Sequence, residues 1–138
     1  MAAEIKVQVS QISATTSEAA IREHRVTIDR PVSKGGTDAG PMGGELFLAA
    51  VGGCFMSNLL AAIKARDAGI ANVRTEVTGI LDGTPARFVG IDLEVSADGS
   101  NRELLEKLAE IADRACIMTN TLRGKLDLNV RVRAEPRA

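Results

Sequence analysis

Residues Gly43 to Asp67, GGELFLAAVGGCFMSNLLAAIKARD, decide the fold. From Leu46 to Ile63 no side chain carries a charge, and no other run is as apolar over such a length. Glu45 in the first turn and Lys64 and Arg66 near the end match the two poles of a helix dipole. Gly69 is a candidate C-cap. The stretch reads as a helix apolar around most of its circumference, which must be buried on nearly all sides. Cys54 lies in its middle, directly after Gly52-Gly53. The uncharged run is at the lower edge of a membrane span, about 17–25 residues. Gly52, Gly53, Ser57 and Asn58 dilute it and its flanks are amphipathic, so a core helix is favoured over a membrane segment.

Outward from this helix the chain alternates. Ile5, Val7 and Val9 against Lys6, Gln8 and Ser10 predict a half-buried strand over 4–10. Residues 11–19 are polar and turn-like. A second strand is expected over 20–29, with Val26 and Ile28 on one face, and Pro31 stops it because it lacks an amide donor. Residues 31–44, PVSKGGTDAGPMGG, form a loop rich in Gly and Pro, expected to be a mobile wall or lid near the start of the central helix. Beyond the helix, Val73, Thr75, Val77 and Leu81 share one strand face, with Gly79 in the series. Val89, Ile91, Leu93 and Val95 share another. The intervening Asp82-Gly83-Thr84-Pro85 signals an antiparallel hairpin.

A second helix is expected from Ser100, which has capping-box spacing to Glu103. Leu104, Leu105, Leu108, Ile111, Ala112 and Ala115 make its apolar face. If it runs on, Cys116 falls about 20° from Leu105 on the helical wheel and looks inward. After the polar Thr119-Asn120-Thr121 a last strand alternates Leu126, Leu128, Val130 and Val132 with Asp127, Asn129, Arg131 and Arg133. The expected order is β-β-α-β-β-α-β in one domain, 1–138. One-sided strands suit antiparallel sheets. One sheet and one amphipathic helix cannot enclose the central helix, so a homodimer with that helix inside is expected.

Composition removes several classes of function. The 138 residues fit a single core-forming domain. A net charge of −1 gives no basic footprint for nucleic acid. With no Trp or Tyr, only Phe47, Phe55 and Phe88 are aromatic, too few to stack bases. One His and two Cys do not make a Cys-rich zinc site without carboxylate help. The start, MAAEIKVQVSQ, lacks the features of a signal peptide. A cytoplasmic setting is expected, where two cysteines are free, redox-active or buried rather than a permanent staple.

Cys54 alone reads first as a small buried hydrophobe, since free cysteines are among the most buried residues. An apolar mid-helix site raises a thiol pKa, so reactivity would need a nearby cation. It would also need access, and Gly52-Gly53 offers it at a helix cost of roughly 1 kcal/mol per glycine. Arg30, sharing parity with Val26 and Ile28, is the candidate cation. Arg22 is the reserve and Arg123, near Cys116, a third. Glu45 could hold such an arginine, against the simpler reading of a dipole-favoured residue. Cys116 is a core residue or a resolving thiol; a disulfide with Cys54 requires Cα atoms within about 7 Å. His24 would serve a Cys-His hydrolase only beside a thiol, and reads more simply as an exposed strand residue.

Two segments together resemble the OsmC/Ohr family, the osmotically induced and organic hydroperoxide resistance proteins. The first is Pro41 to Cys54, PMGGELFLAAVGGC; the second is Ala115 to Gly124, ACIMTNTLRG, a Cys followed by a hydroxyl-Asn pair. The resemblance implies an α+β fold, with antiparallel sheet elements wrapped around long central helices in an intertwined homodimer, and thiol-dependent peroxidase chemistry on organic hydroperoxides. By resemblance Cys54 matches the peroxidatic cysteine, Cys116 the resolving cysteine and Glu45 the site carboxylate. The best-known members carry that carboxylate one residue earlier, where this chain has Gly44, and commonly Pro where it has Ile117. No metal, flavin or nucleotide cofactor is implied, only an external dithiol reductant. A non-enzymatic dimer binding an apolar ligand or partner is the alternative.

Overall fold

A computed structural model describes residues 2–99, 101–124, 126 and 128–132. The fold is α+β, built from antiparallel sheets and helices. In chain order the elements are β1 (Gln8–Gln11), β2 (Ser17–Ile21), β3 (His24–Ile28), a 3-10 turn at Val32–Lys34, α1 (Gly43–Ala65), β4 (Ala71–Asp82), β5 (Arg87–Asp98), α2 (Arg102–Ala115) and α3 (Ile117–Arg123). They divide into two compact units. One is Met1–Gly52 with Glu76–Glu94, the other Gly53–Thr75 with Val95–Ala138.

In the first unit β1, β2 and β3 form a three-stranded antiparallel sheet in that order, with Ala19 opposite both Val9 and Val26. The single strand expected over 20–29 is therefore a hairpin. Its turn is at Arg22-Glu23, where Arg22 takes a left-handed conformation with φ 52°. The strand expected at 4–10 begins only at Gln8, and Val9 on it is exposed, because β1 is a sheet edge. After Ile28 the chain reverses the expected parity: Asp29 is buried and Arg30 exposed. The glycine-rich loop folds back on β3 through Asp29 N–H to the Pro41 carbonyl at 3.0 Å and Asp38 N–H to the Arg30 carbonyl at 2.9 Å. A Cβ at Gly36 would collide with the Arg30 carbonyl, and one at Gly40 with that of Thr27. This segment, expected to be mobile, is pinned.

The start of α1 follows. Glu45 Oε1 accepts from the Met42 amide at 2.8 Å, the reach-back half of a capping box. Phe47 stacks on Phe88 of β5, with centroids 5.7 Å apart. Phe88 lies so close to Gly79 of β4 that any side chain there would clash. This seat draws Phe88 inward and leaves Val89 exposed, so the buried parity of β5 shifts between Gly90 and Ile91 instead of including Val89.

In the second unit α1 ends at Ala65 with Asp67, not Gly69, as its left-handed closing residue; the Ala68 amide reaches back to the Ile63 carbonyl at 3.2 Å. The core comes from Phe55, Leu59, Ala62 and Ile63 of α1 and from Leu108 and Ala112 of α2, with Cys116 and Thr119. Asn101 is the N-cap of α2, its side chain accepting from the Leu104 amide at 2.9 Å; Ser100 lies outside the described residues. Ala115, expected on the apolar face, is exposed. The helix stops before Cys116, and Thr119-Asn120-Thr121, expected as a polar connector, belongs to α3. The expected last strand is not formed: Leu126 and residues 128–132 join no ladder among the described residues and are exposed, while Asp127 and Arg133 lie outside the described residues.

Candidate active site

The second unit brings the two cysteines together. Cys54 sits on the half of α1 that belongs to this unit and is half-buried; Cys116 is fully buried. Their sulfurs are 3.3 Å apart, and both are free thiols. The two glycines before Cys54 have different roles. A Cβ on Gly52, in the first unit, would press to 2.7 Å from Val77 Cγ2, whereas one on Gly53 would meet nothing within 4 Å among the described residues. Gly52 answers to packing, and Gly53 leaves the backbone beside the thiol open.

Cys116 owes its position to a break between helices. Its backbone is extended, with φ −77° and ψ 120°, and it is at once the C-cap of α2 and the N-cap of α3. A break of this kind leaves α2 carbonyls without helical partners. Thr119 Oγ1 donates to the Asp113 carbonyl at 3.0 Å and lies 3.4 Å from that of Cys116. Asn120 Nδ2 donates to the Arg114 carbonyl at 3.1 Å. Arg123 Nη1 reaches Asp113 Oδ1 at 2.8 Å across the same joint. Three residues of α3 thus hold the end of α2.

Burial pushes the Cys116 thiol up, but the Thr119 amide, the Cys54 thiol, the Thr119 hydroxyl and the Met118 amide together bring it below its ordinary value. The two sulfurs share a hydrogen bond at 3.3 Å, with Cys116 Sγ donating to Cys54 Sγ. Arg123 hydrogen-bonds Asp113 and holds its carboxyl below the usual range. The Asp113 hydrogen bond and charge in turn strengthen the protonated form of Arg123, with a smaller contribution from Cys116. Among the sequence-derived candidates, Arg123 is the cation in the dithiol's own unit.

Arg30 and Glu45 belong to the first unit. Arg30 is exposed beside an open hollow of about 360 Å³ bordered by Met42, Gly43 and Gly44 at the start of α1. Arg30 does not face the core as expected, because β3 ends at Ile28 and strand alternation does not extend to it. Arg22, its reserve, is exposed in a turn, and His24 is exposed on β3. Sequence reading missed Asp29. Its carboxylate is 3% exposed and accepts from the Arg30, Thr37 and Ala39 amides and the Thr16 and Thr37 hydroxyls. Its one visible signal was an Asp before Arg-Pro at a strand end, a common turn residue. Among the described residues no three of His, Cys, Asp and Glu cluster as metal ligands would.

Known proteins share this arrangement of sequence and fold. The family profile described as OsmC-like protein matches residues 35–131. An organic hydroperoxide resistance protein-like 2 from Staphylococcus epidermidis is 30% identical over 105 residues, which is 74% of this chain and 72% of that one. An organic hydroperoxide resistance protein OsmC from Legionella pneumophila superposes with a TM-score of 0.68 at 20% identity, over 89% of this chain and 93% of that one. The organic hydroperoxide resistance protein OhrB of Bacillus subtilis does so with a TM-score of 0.63 at 20% identity, over 89% and 94%. At such identities these two structures speak to the fold alone.

Proposed function

The chain belongs to the OsmC-like family, and from that premise we propose that it is a thiol-dependent peroxidase reducing organic hydroperoxides to alcohols. The observation that carries this reading is the pair of free thiols 3.3 Å apart, one half-exposed and one buried. Cys54, the accessible sulfur, attacks the distal peroxide oxygen as its thiolate. The O–O bond breaks, the alkoxide leaves and takes a proton to become the alcohol, and Cys54 becomes a sulfenic acid. The Cys116 thiol then gives up its proton and attacks the Cys54 sulfur; the S–O bond breaks and the hydroxide leaves with that proton as water, closing a disulfide. The sulfurs need only approach from 3.3 Å to about 2.05 Å for that bond. An external dithiol restores both thiols.

A reactive cysteine is served by a nearby cation that favours its thiolate. Arg30 is proposed for this task, held by the Glu45 oxygen that does not cap Met42; Arg123 is the competing assignment. No metal, flavin or nucleotide takes part in these steps. The protein is proposed to work as a cytoplasmic, soluble homodimer. Along α1 Ala49, Ala50, Gly53, Ser57, Leu60 and Ala61 are exposed at helical spacing, on the one helix whose length and composition would also suit a membrane span. Ile5, Leu128, Val130 and Val132 are also exposed. A second copy covering these surfaces accounts for them without a bilayer.

Consumption of an alkyl hydroperoxide in the presence of a dithiol tests the reading. Wild type should turn over and Cys54→Ser should fall to the background rate. Equal rates would sink the proposal in favour of a non-enzymatic dimer that binds an apolar ligand.

A further inference from the structure

The dithiol has a second chemistry that does not depend on peroxide turnover. Two thiols converge with 3.3 Å between sulfurs, and among the described residues no imidazole or carboxylate joins them as a metal-ligand cluster. Such a site offers sulfur alone, which selects soft centres over hard cations. The spacing selects further. With bonds of about 2.3 Å, the length thiolates make to zinc, a linear centre holds its sulfurs about 4.6 Å apart and a right-angled one about 3.3 Å apart. Trivalent arsenic is soft and pyramidal, with bond angles close to a right angle.

We propose that the reduced Cys54–Cys116 pair is a binding site for trivalent organoarsenicals, one arsenic bridging both sulfurs. The step is a condensation. Two As–S bonds form, the two bonds from arsenic to its oxo oxygen break, and that oxygen leaves as water with the two thiol protons. Nothing is oxidised or reduced. Access sets the order: the half-buried Cys54 engages first, beside the open backbone of Gly53, and the buried Cys116 closes the ring. The third substituent on arsenic then points out on the Cys54 side. The joint held by Thr119, Asn120 and the Asp113–Arg123 pair keeps Cys116 where the ring needs it, so little ordering is lost on binding.

The test titrates the reduced full chain with phenylarsine oxide after removal of reductant. Two titratable thiols should disappear per arsenic, with a mass gain of one phenylarsenic unit less two hydrogens. The adduct should persist against a monothiol and dissolve with dithiothreitol. Cys54→Ser and Cys116→Ser should each lose at least about 100-fold in apparent affinity, because a two-point attachment becomes one-point. Consumption of one thiol per arsenic in wild type, or a serine variant within tenfold of wild type, would overturn the proposal. The thiol count on wild type decides the matter even if Cys116→Ser does not fold. A protein that captures arsenic stoichiometrically yet leaves peroxide untouched upholds this site and removes the peroxidase reading; the reverse result does the opposite.

Discussion

Two irregular joints are each organised by an aspartate, and they are built on opposite plans. In the first unit Asp29 is almost wholly buried and has no cation among its partners in the described residues; two hydroxyls and three amides satisfy its oxygens. In the second unit Asp113 keeps a side chain 32% exposed and takes the Arg123 guanidinium at 2.8 Å. A buried carboxylate is stabilised only by fixed donors at short range, since a charge taken out of water without partners is prohibitive. A half-exposed one can rely on a mobile cation and on water. The first joint is therefore stiff and insensitive to salt, the second weaker and screened. The stiff joint pins the glycine-rich loop before α1, and the softer one sits at the buried thiol.

Breaking the stiff joint should have the largest effect. Asp29→Asn keeps the shape but puts a donor where four of the five contacts converge on one oxygen or forces the amide away from the Arg30 N–H. The Thr37 and Ala39 amides should lose hydrogen-exchange protection and the melting temperature should fall by more than for any variant below. The Thr37 hydroxyl, first, and then the other donors hold the Asp29 carboxyl well below its ordinary value of 3.8, against the effect of burial. Its stabilising contribution is thus complete above that unfolded value and is lost as pH falls below it. Acid should loosen the loop of wild type only below about pH 4, and the Asp29→Asn substitution should abolish that acid limb. A wild-type loop that exchanges faster already at pH 6 than at pH 8, once the intrinsic exchange rate is divided out, would contradict this.

The same contrast explains what was legible in the sequence. The extent of α1 and the hairpin around residues 82–85 follow from apolar periodicity and turn chemistry, which are local signals; Cys116 is buried as expected, but through a break between helices and not through the continued helix on which that expectation rested. Asp29 was not legible, because alternation extended past Ile28 puts it on the wet face; its burial depends on Thr16 and on a loop ten residues further along the chain. Arg30 was misplaced by the same extrapolation. The helix α3 was hidden because its pattern is inverted: Thr119 is buried while Ile117 and Leu122 are exposed. The expected last strand failed for a related reason. Alternation in residues 126–132 states that one face wants cover, and nothing among the described residues of a single chain covers it. Of the site, the pairing of Cys54 with Cys116 was legible through two motifs; the hydrogen bonds that hold Cys116 were not, since they run from side chains to carbonyls.

Thr119→Val sharpens the comparison at the second joint. It keeps volume and removes the hydroxyl from two carbonyls and from the surroundings of the Cys116 thiol. A buried acceptor left short of a donor costs about 1–3 kcal/mol, and the low end applies because the Cys116 amide also serves the Asp113 carbonyl, at 3.2 Å. The Cys116 thiol should titrate closer to its ordinary value, so its alkylation in a Cys54→Ser background should shift to higher pH. Lost stability with an unmoved alkylation profile would make Thr119 a packing residue and nothing more.

Arg123→Ala should have the smallest effect. The pair it breaks has a guanidinium side chain 66% exposed, and exposed ion pairs contribute little, which added salt screens away. The stability difference from wild type should therefore shrink as salt rises, whereas the Asp29→Asn deficit should not. This variant also separates the two candidate cations. If Arg30 serves Cys54, Arg123→Ala leaves peroxide turnover near wild type and Arg30→Ala does not. A collapse of turnover in Arg123→Ala, with stability barely changed, would transfer the activating role to the softer joint and make its exposure to salt a property of the chemistry itself.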